Sequence, residues 1–271
     1  MAIVEVLPSP DGVPGAVTSD RGLAAETVTI SGHDGEQVEC HLACPDDEQR
    51  HPGIVVIHEA WGVNDHIRDV CARLAAQGYV ALAVDLYFRE GGPPPFGDVE
   101  RMMRRVEKLP DERVVGDIAA AVAYLRSRQD ATARVGAIGF CMGGRYVLLA
   151  ACSGAELDAA ADCWGGFIER STPDELSTPE RPVPPITLVP RLECPLMAAI
   201  GAEDTNPSPA LGAQLGRLAI DAGKDVEVDV YDGAGHAFFA DYRPTYRPQP
   251  AQLLWTRIVP FFGRHLRDAA G

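Results

Sequence analysis

The sequence predicts a doubly wound α/β fold, a mostly parallel sheet covered by helices on both faces with an antiparallel N-terminal hairpin at its edge. Three observations lead there. Short continuous apolar runs rich in β-branched residues, such as GIVVIHE and YVALAVDLY, read as strands buried on both faces. Longer amphipathic stretches separate them, as the crossover connections of parallel strands require. The 271 residues, 46% of them hydrophobic, can bury one sizeable core without disulfide or metal staples.

Residues 1–24, rich in Gly, Pro and Asp and without a sustained period, read as an arm packed on the body, with 25–271 a single domain. ETVTISGHDGEQVECHLACP holds two β-rich runs around the turn signal His33-Asp34-Gly35, hence a hairpin. GIVVIHE is a strand, and NDHIRDVCARLAAQG an amphipathic helix closed by Gly78. YVALAVDLY is the next buried strand; after a Gly/Pro loop, DERVVGDIAAAVAYLRSRQ makes a long helix. RVGAIGF, MGGRYVLLAAC and DAAADCWGG follow as strand, helix and strand. The segment 169–190 carries proline at a density that forbids regular structure, so it reads as a surface insertion, either beside the site or a plain linker. CPLMAAIGAED is a strand, PALGAQLGRLAIDAG a helix, VEVDVYDGAGH the last strand, and residues 249–268 a final helix.

Lys and Arg total 24 against 39 Asp and Glu, a formal charge of -15. A field of that sign repels phosphate backbones and anionic headgroups, which argues against nucleic acid and membrane as partners. It also means that an anionic substrate needs local arginines. No run approaches the roughly 18 apolar residues of a spanning helix, and the first residues lack the pattern of a signal peptide. The seven cysteines are odd in number and scattered, as expected in a reducing, cytoplasmic compartment. Cys40 and Cys44 have a metal-like gap, but no second pair answers them, so no metal is expected.

The chemistry concentrates in four places. In Gly139-Phe140-Cys141-Met142-Gly143-Gly144 a strand gives way to a helix within a few residues, and small residues two positions either side of the cysteine suit a sharp turn. Such a turn exposes the Cys141 sulfur near a helix N-terminus, which favours the reactive thiolate. Gly201-Ala202-Glu203-Asp204 and Gly233-Ala234-Gly235-His236 each lie just behind a strand. A parallel sheet brings those ends to one edge, so Cys141, Asp204 and His236 converge in the order nucleophile, acid, base of the α/β-hydrolase arrangement. Glu203 competes with Asp204 for the acid. Behind GIVVIHE, His58-Glu59-Ala60-Trp61-Gly62 occupies the loop that supplies a second oxyanion donor, the Ala60 amide beside that of Met142. Trp61, Phe140 and Phe238, with Phe239, surround the expected site as an apolar pocket, although Phe238 and Phe239 fit a core role equally.

Taken together, HEAWGVNDHIRDVCARLAAQGYVALAVDLY, GAIGFCMGGR, GAEDTNPSP and GAGHAFF resemble the dienelactone hydrolase family, the carboxymethylenebutenolidases of the α/β-hydrolase superfamily, over residues 26–268. The resemblance implies Cys141 as nucleophile, His236 as base, Asp204 as its orienting acid and Glu59 as acceptor of the thiol proton. It implies no cofactor, a monomer, and a small lactone or ester substrate whose carboxylate is held by arginines. Arg89 matches one of these by position. The second is expected at Ala240, where this chain departs from the pattern, and Arg243 is the candidate replacement. The resulting expectation is a cofactor-independent hydrolase opening a lactone or activated ester through a cysteine acyl-enzyme. A general carboxylesterase or thioesterase with the same triad is the alternative within enzymes, and a thiol redox sensor the alternative outside hydrolysis.

Overall fold

The structure is a computed structural model and describes residues 12–17, 22–169 and 178–267; the expectations for the rest of the arm and for the middle of the proline-rich insertion lie outside the described residues. Eight strands form one sheet: β1 (Leu23–Ser31), β2 (Gln37–Pro45), β3 (His51–Ile57), β4 (Val80–Val84), β5 (Ala131–Phe140), β6 (Ala159–Cys163), β7 (Leu196–Gly201) and β8 (Val226–Tyr231). Their spatial order is β1-β2-β4-β3-β5-β6-β7-β8. β2 runs antiparallel to both β1 and β4, and every pair from β4 through β3 to β8 is parallel. Every residue of β4, β6 and β7 is buried, as continuous apolar runs demand. β8 is an edge strand, and its Glu227 and Asp229 pair with Arg257 and Arg264, a charged cover that discourages strand addition.

Six helices cover the sheet: α1 (Asp65–Ala76), α2 (Val99–Glu107), α3 (Asp111–Ser127), α4 (Met142–Ala151), α5 (Pro209–Asp221) and α6 (Pro248–Leu266). α1 starts where the Asn64 side chain accepts the Ile67 amide at 3.1 Å, and α5 where Ser208 accepts that of Leu211 at 3.2 Å with Pro209 at the first helical position. α1 and α6 pack on one face of the sheet, in a core with Trp255, Phe261 and Phe262; α3, α4 and α5 cover the other.

Two expectations are corrected. The stretch behind β4 is not only a Gly/Pro loop: it contains α2, capped by Asp98, whose side chain accepts the Arg101 amide at 3.0 Å. The strand β1 begins at Leu23, inside the segment read as arm. What is described of that arm is docked on the body. Gly15 lies so close to Trp255 that a Cβ there would meet its indole at 2.6 Å, and the Pro14 carbonyl accepts from Arg73.

Candidate active site

β5 ends at Phe140 and α4 begins at Met142, so the single residue Cys141 makes the turn, with φ 55° and ψ −117°. A non-glycine residue in that region is strained and persists only where the surroundings hold it. The neighbouring glycines show how. A Cβ on Gly139 would lie 2.1 Å from the Gly143 carbonyl oxygen, and one on Gly143 would lie 2.2 Å from that of Ile57. The helix start is therefore pressed onto the ends of β3 and β5, and Cys141 is lifted clear. It is the one cysteine of seven that is not fully buried. Burial pushes the thiols of Cys40, Cys152 and Cys194 up to about 12, so these sulfurs stay protonated. Cys40 and Cys44 sit four residues apart on a strand, about 13 Å at the usual rise, too far to share a metal.

Behind β7 and β8 the structure brings the acid and the histidine together. The Nδ1–H of His236 donates to Asp204 Oδ2 at 2.8 Å, while Asp204 Oδ1 accepts the Asn206 amide at 3.0 Å. Asp204 is buried against His236, whereas Glu203 is exposed. With Nδ1 committed to the carboxylate, Nε2 is the nitrogen left to face the cavity that His236 and Cys141 both line. Burial alone would lower the His236 pKa; the hydrogen bond to Asp204 and the neighbouring Cys141 outweigh it and push the imidazole up to about 10. His236 and Asp204 are thus paired beside Cys141 at the carboxyl edge of the sheet.

The loop behind β3 is held by a fully buried histidine. The Leu86 amide donates to His58 Nε2 at 3.1 Å, so the ring proton sits on Nδ1 and goes to the Glu59 carbonyl at 2.6 Å. Burial lowers the His58 pKa, in keeping with this neutral tautomer. The Tyr87 hydroxyl lies 3.2 Å from the Ala60 carbonyl and 3.4 Å from the Met142 sulfur, tying together the two residues expected to supply oxyanion donors. Met142 opens α4, so its amide has no acceptor within the helix. The Glu59 carboxylate is buried: Tyr242 donates to Oε1 and Arg243 to Oε2, the latter at 3.2 Å.

Cys141, Asp204, His236, Glu59, Ala60, Met142, Trp61 and Arg243 all line one cavity of about 410 Å³. Three expected pocket residues do not. Arg89 points away, bound bidentately to buried Asp117 at 2.6 and 2.9 Å and to Glu36 at 2.9 Å, where it staples the hairpin turn to α3. Phe140 stacks on Phe239 at 6.0 Å, and Phe238 packs on Trp164 at 4.8 Å. Both are core beneath the site, because the side of β5 and the turn after His236 that carry them face α6. In their place the wall is built by Val99, Met102, Met103 and Val106 of α2 and by Arg145 and Arg181. The spacing i, i+3, i+4, i+7 of the four α2 residues was the available signal. Tyr242 and Arg181 carried none.

Among the described residues, no helix is long and apolar enough to cross a membrane. The model of the dienelactone hydrolase family matches residues 38–266. A Methylorubrum extorquens protein named "Putative carboxymethylenebutenolidase" is 36% identical over 250 residues, covering 92% of this chain and 84% of that protein. A Bradyrhizobium protein named "Probable 2-oxo-3-(5-oxofuran-2-ylidene)propanoate lactonase" is 32% identical over 90% of this chain and 98% of its own length. A crystal structure from Klebsiella pneumoniae, titled as a "Putative Dienelactone Hydrolase", superposes with a TM-score of 0.82 at 30% identity, over 89% of this chain and 99% of that one. The family match, these relatives and the shared fold lead to one conclusion: the chain belongs to the dienelactone hydrolase family of α/β-hydrolases and is a carboxylic ester hydrolase.

Proposed function

We propose that the protein opens a lactone or activated ester through a thioester formed on Cys141. The observation that carries this reading is the His236–Asp204 pair lining the same cavity of about 410 Å³ as Cys141, whose sulfur is displayed on a strained turn. The Cys141 sulfur attacks the carbonyl carbon, and the oxygen takes up negative charge opposite the Ala60 and Met142 amides. The intermediate collapses as the C–O bond to the leaving oxygen breaks; an enolate or phenolate leaves as an anion, and a more basic alkoxide takes a proton from His236. Water then attacks the thioester, giving its proton to His236 Nε2 where the leaving oxygen has taken the imidazole's proton and otherwise to the freed enolate or phenolate, and releases the acid and the Cys141 sulfur. In a lactone both products are one molecule.

Asp204 holds the His236 ring with Nε2 towards sulfur and stabilises the imidazolium that forms. Glu59 serves as acceptor of the thiol proton when substrate enters, a role that requires it to loosen from Tyr242 and Arg243. The cavity is a site for a small molecule, and the apolar face of α2 suits an apolar part of it. The lactonase relative favours a lactone among the candidate esters.

Hydrolysis of phenyl acetate and of an enol-lactone by purified Cys141→Ala tests the reading. Loss of at least 1,000-fold in kcat/KM on both is expected, on the scale of removing a triad member. Turnover within tenfold of the native protein on either would refute the assignment of Cys141.

A further inference from the structure

The apolar stripe of α2 is only partly used by the core. Val106 is buried in it and Met102 packs against it, whereas Met103, half-buried, belongs to neither core cluster. Met103 instead lines the cavity at Cys141 and also a second cavity of about 330 Å³. The two cavities share Met103, Val106, Arg145, Phe167 and Arg181, so they adjoin along this side of α2. An apolar side chain that lines two cavities without packing in the core has surface left for a ligand.

Strand order says which part of an ester meets this wall. α2 follows β4, on one side of β5 and Cys141, whereas Asp204 and His236 follow β7 and β8, on the other. The leaving oxygen must face His236, which protonates it when it departs as an alkoxide, and the carbonyl oxygen faces the Ala60 and Met142 amides. The acyl chain is then directed to the side of α2, along Met102 and Met103 towards the junction of the cavities. The cations there are engaged within the protein: Arg145 binds Asp111 at 2.6 and 3.0 Å, and Arg181 donates to the Val106 carbonyl. Further on, the second cavity is lined by Glu107 and Glu169. Apolar contact is therefore the attraction offered along this path, and it favours a chain without charge.

We propose that Met103 is a specificity-determining residue that receives an extended, uncharged acyl chain where the two cavities adjoin. The preferred substrate class is an ester of a medium-chain carboxylic acid, such as hexanoic or octanoic acid, or a lactone carrying such a chain beside its carbonyl. The unbranched thioether of methionine adapts to chains of differing length. The assignment rests on the reading of Cys141 as the acylated group, which the Cys141→Ala comparison tests on its own.

The experiment measures kcat/KM of the full chain on the 4-nitrophenyl esters of acetic, butyric, hexanoic and octanoic acid. The native protein is expected to gain about tenfold or more from acetate to hexanoate, since each methylene taken out of water is worth up to about fourfold. Met103→Gln, similar in size but polar, lowers the hexanoate-to-acetate ratio by about fivefold or more, and Met103→Leu keeps it near the native value. A ratio that stays the same in Met103→Gln, because both esters fall together, overturns the proposal. So does a native protein no faster on hexanoate than on acetate. Calorimetric titration of Cys141→Ala with octanamide needs no chemistry and keeps the two readings apart. Binding about fivefold weaker or more once Met103→Gln is added is expected; equal or absent binding contradicts the assignment even if Cys141 proves correct.

Discussion

At the scale of single residues, the account turns on His236. Its pKa is raised from the ordinary 6.5 to about 10 because its bond to Asp204 and the neighbouring Cys141 outweigh the effect of burial. The native state then holds a proton that the unfolded chain releases above pH 6.5. The resulting stabilisation is complete below that pH and is lost as pH rises towards 10. Urea unfolding at pH 6, 8 and 10 is expected to show the native protein losing stability over this window and Asp204→Asn losing much less. Parallel slopes would mean that the carboxylate does not hold the imidazolium. The same variant should lower kcat/KM by about 100-fold or more, since an asparagine permits the wrong ring tautomer. Cys141, Asp204 and His236 were legible in the sequence because each follows a buried strand directly, and a parallel sheet delivers such positions to one edge. Arg89 was not, because the Asp117 that claims it lies 28 residues further on, on a helix whose facing depends on tertiary packing.

Among the elements, the turn from β5 into α4 carries the strictest geometric demand. An added Cβ at Gly139 or Gly143 would meet backbone oxygens at 2.1 or 2.2 Å, and backbone cannot swing aside as a side chain does. Gly143→Ala is expected to lower the unfolding free energy by about 3 kcal/mol or more, at the upper end of single substitutions; near-native denaturation midpoints would show that α4 can shift. Next to this turn, Asp162 at the end of β6 is buried with its Oδ1 accepting the Gly165 amide at 2.7 Å, and burial raises its pKa to about 7. Here the folded state also binds more protons than the unfolded chain, between pH 4 and 7, so this carboxyl group costs stability as pH rises through 7. Thermal unfolding from pH 5 to 8.5 should therefore fall more steeply in the native protein than in Asp162→Asn. Helix α2 escaped the sequence reading because Gly and Pro crowd residues 91–97, and its nine residues carry only one apolar stripe. The other helices were legible from longer stripes, and α1 also from the Gly78 that closes it.

For the whole molecule, strand order puts the four chemical segments, behind β3, β5, β7 and β8, along one edge, although Glu59 and His236 stand far apart in the chain. The charge of -15 acts over the same scale. It disfavours the approach of anions over the molecule's surface. The described part of the N-terminal arm also belongs to this scale: it gives the buried Arg73 a carbonyl acceptor and lies against Trp255. Removing residues 1–17 is expected to lower the melting temperature by several degrees, as the loss of about 1–3 kcal/mol would do in a domain of this size. An unchanged melting temperature would show that this packing contributes nothing. The partners of residues 12–17, Arg73 and Trp255, lie far along the chain and were not legible in the sequence.

The central claim is a covalent bond between Cys141 and the acyl group of the substrate. Rapid mixing with excess phenyl ester, acid quenching within the first turnovers and peptide mass mapping test it most directly. The account predicts an acyl increment on the peptide that contains Cys141, appearing with the first equivalent of phenol and absent from the other cysteine peptides. An unmodified Cys141 peptide while phenol is released at the native rate would contradict it.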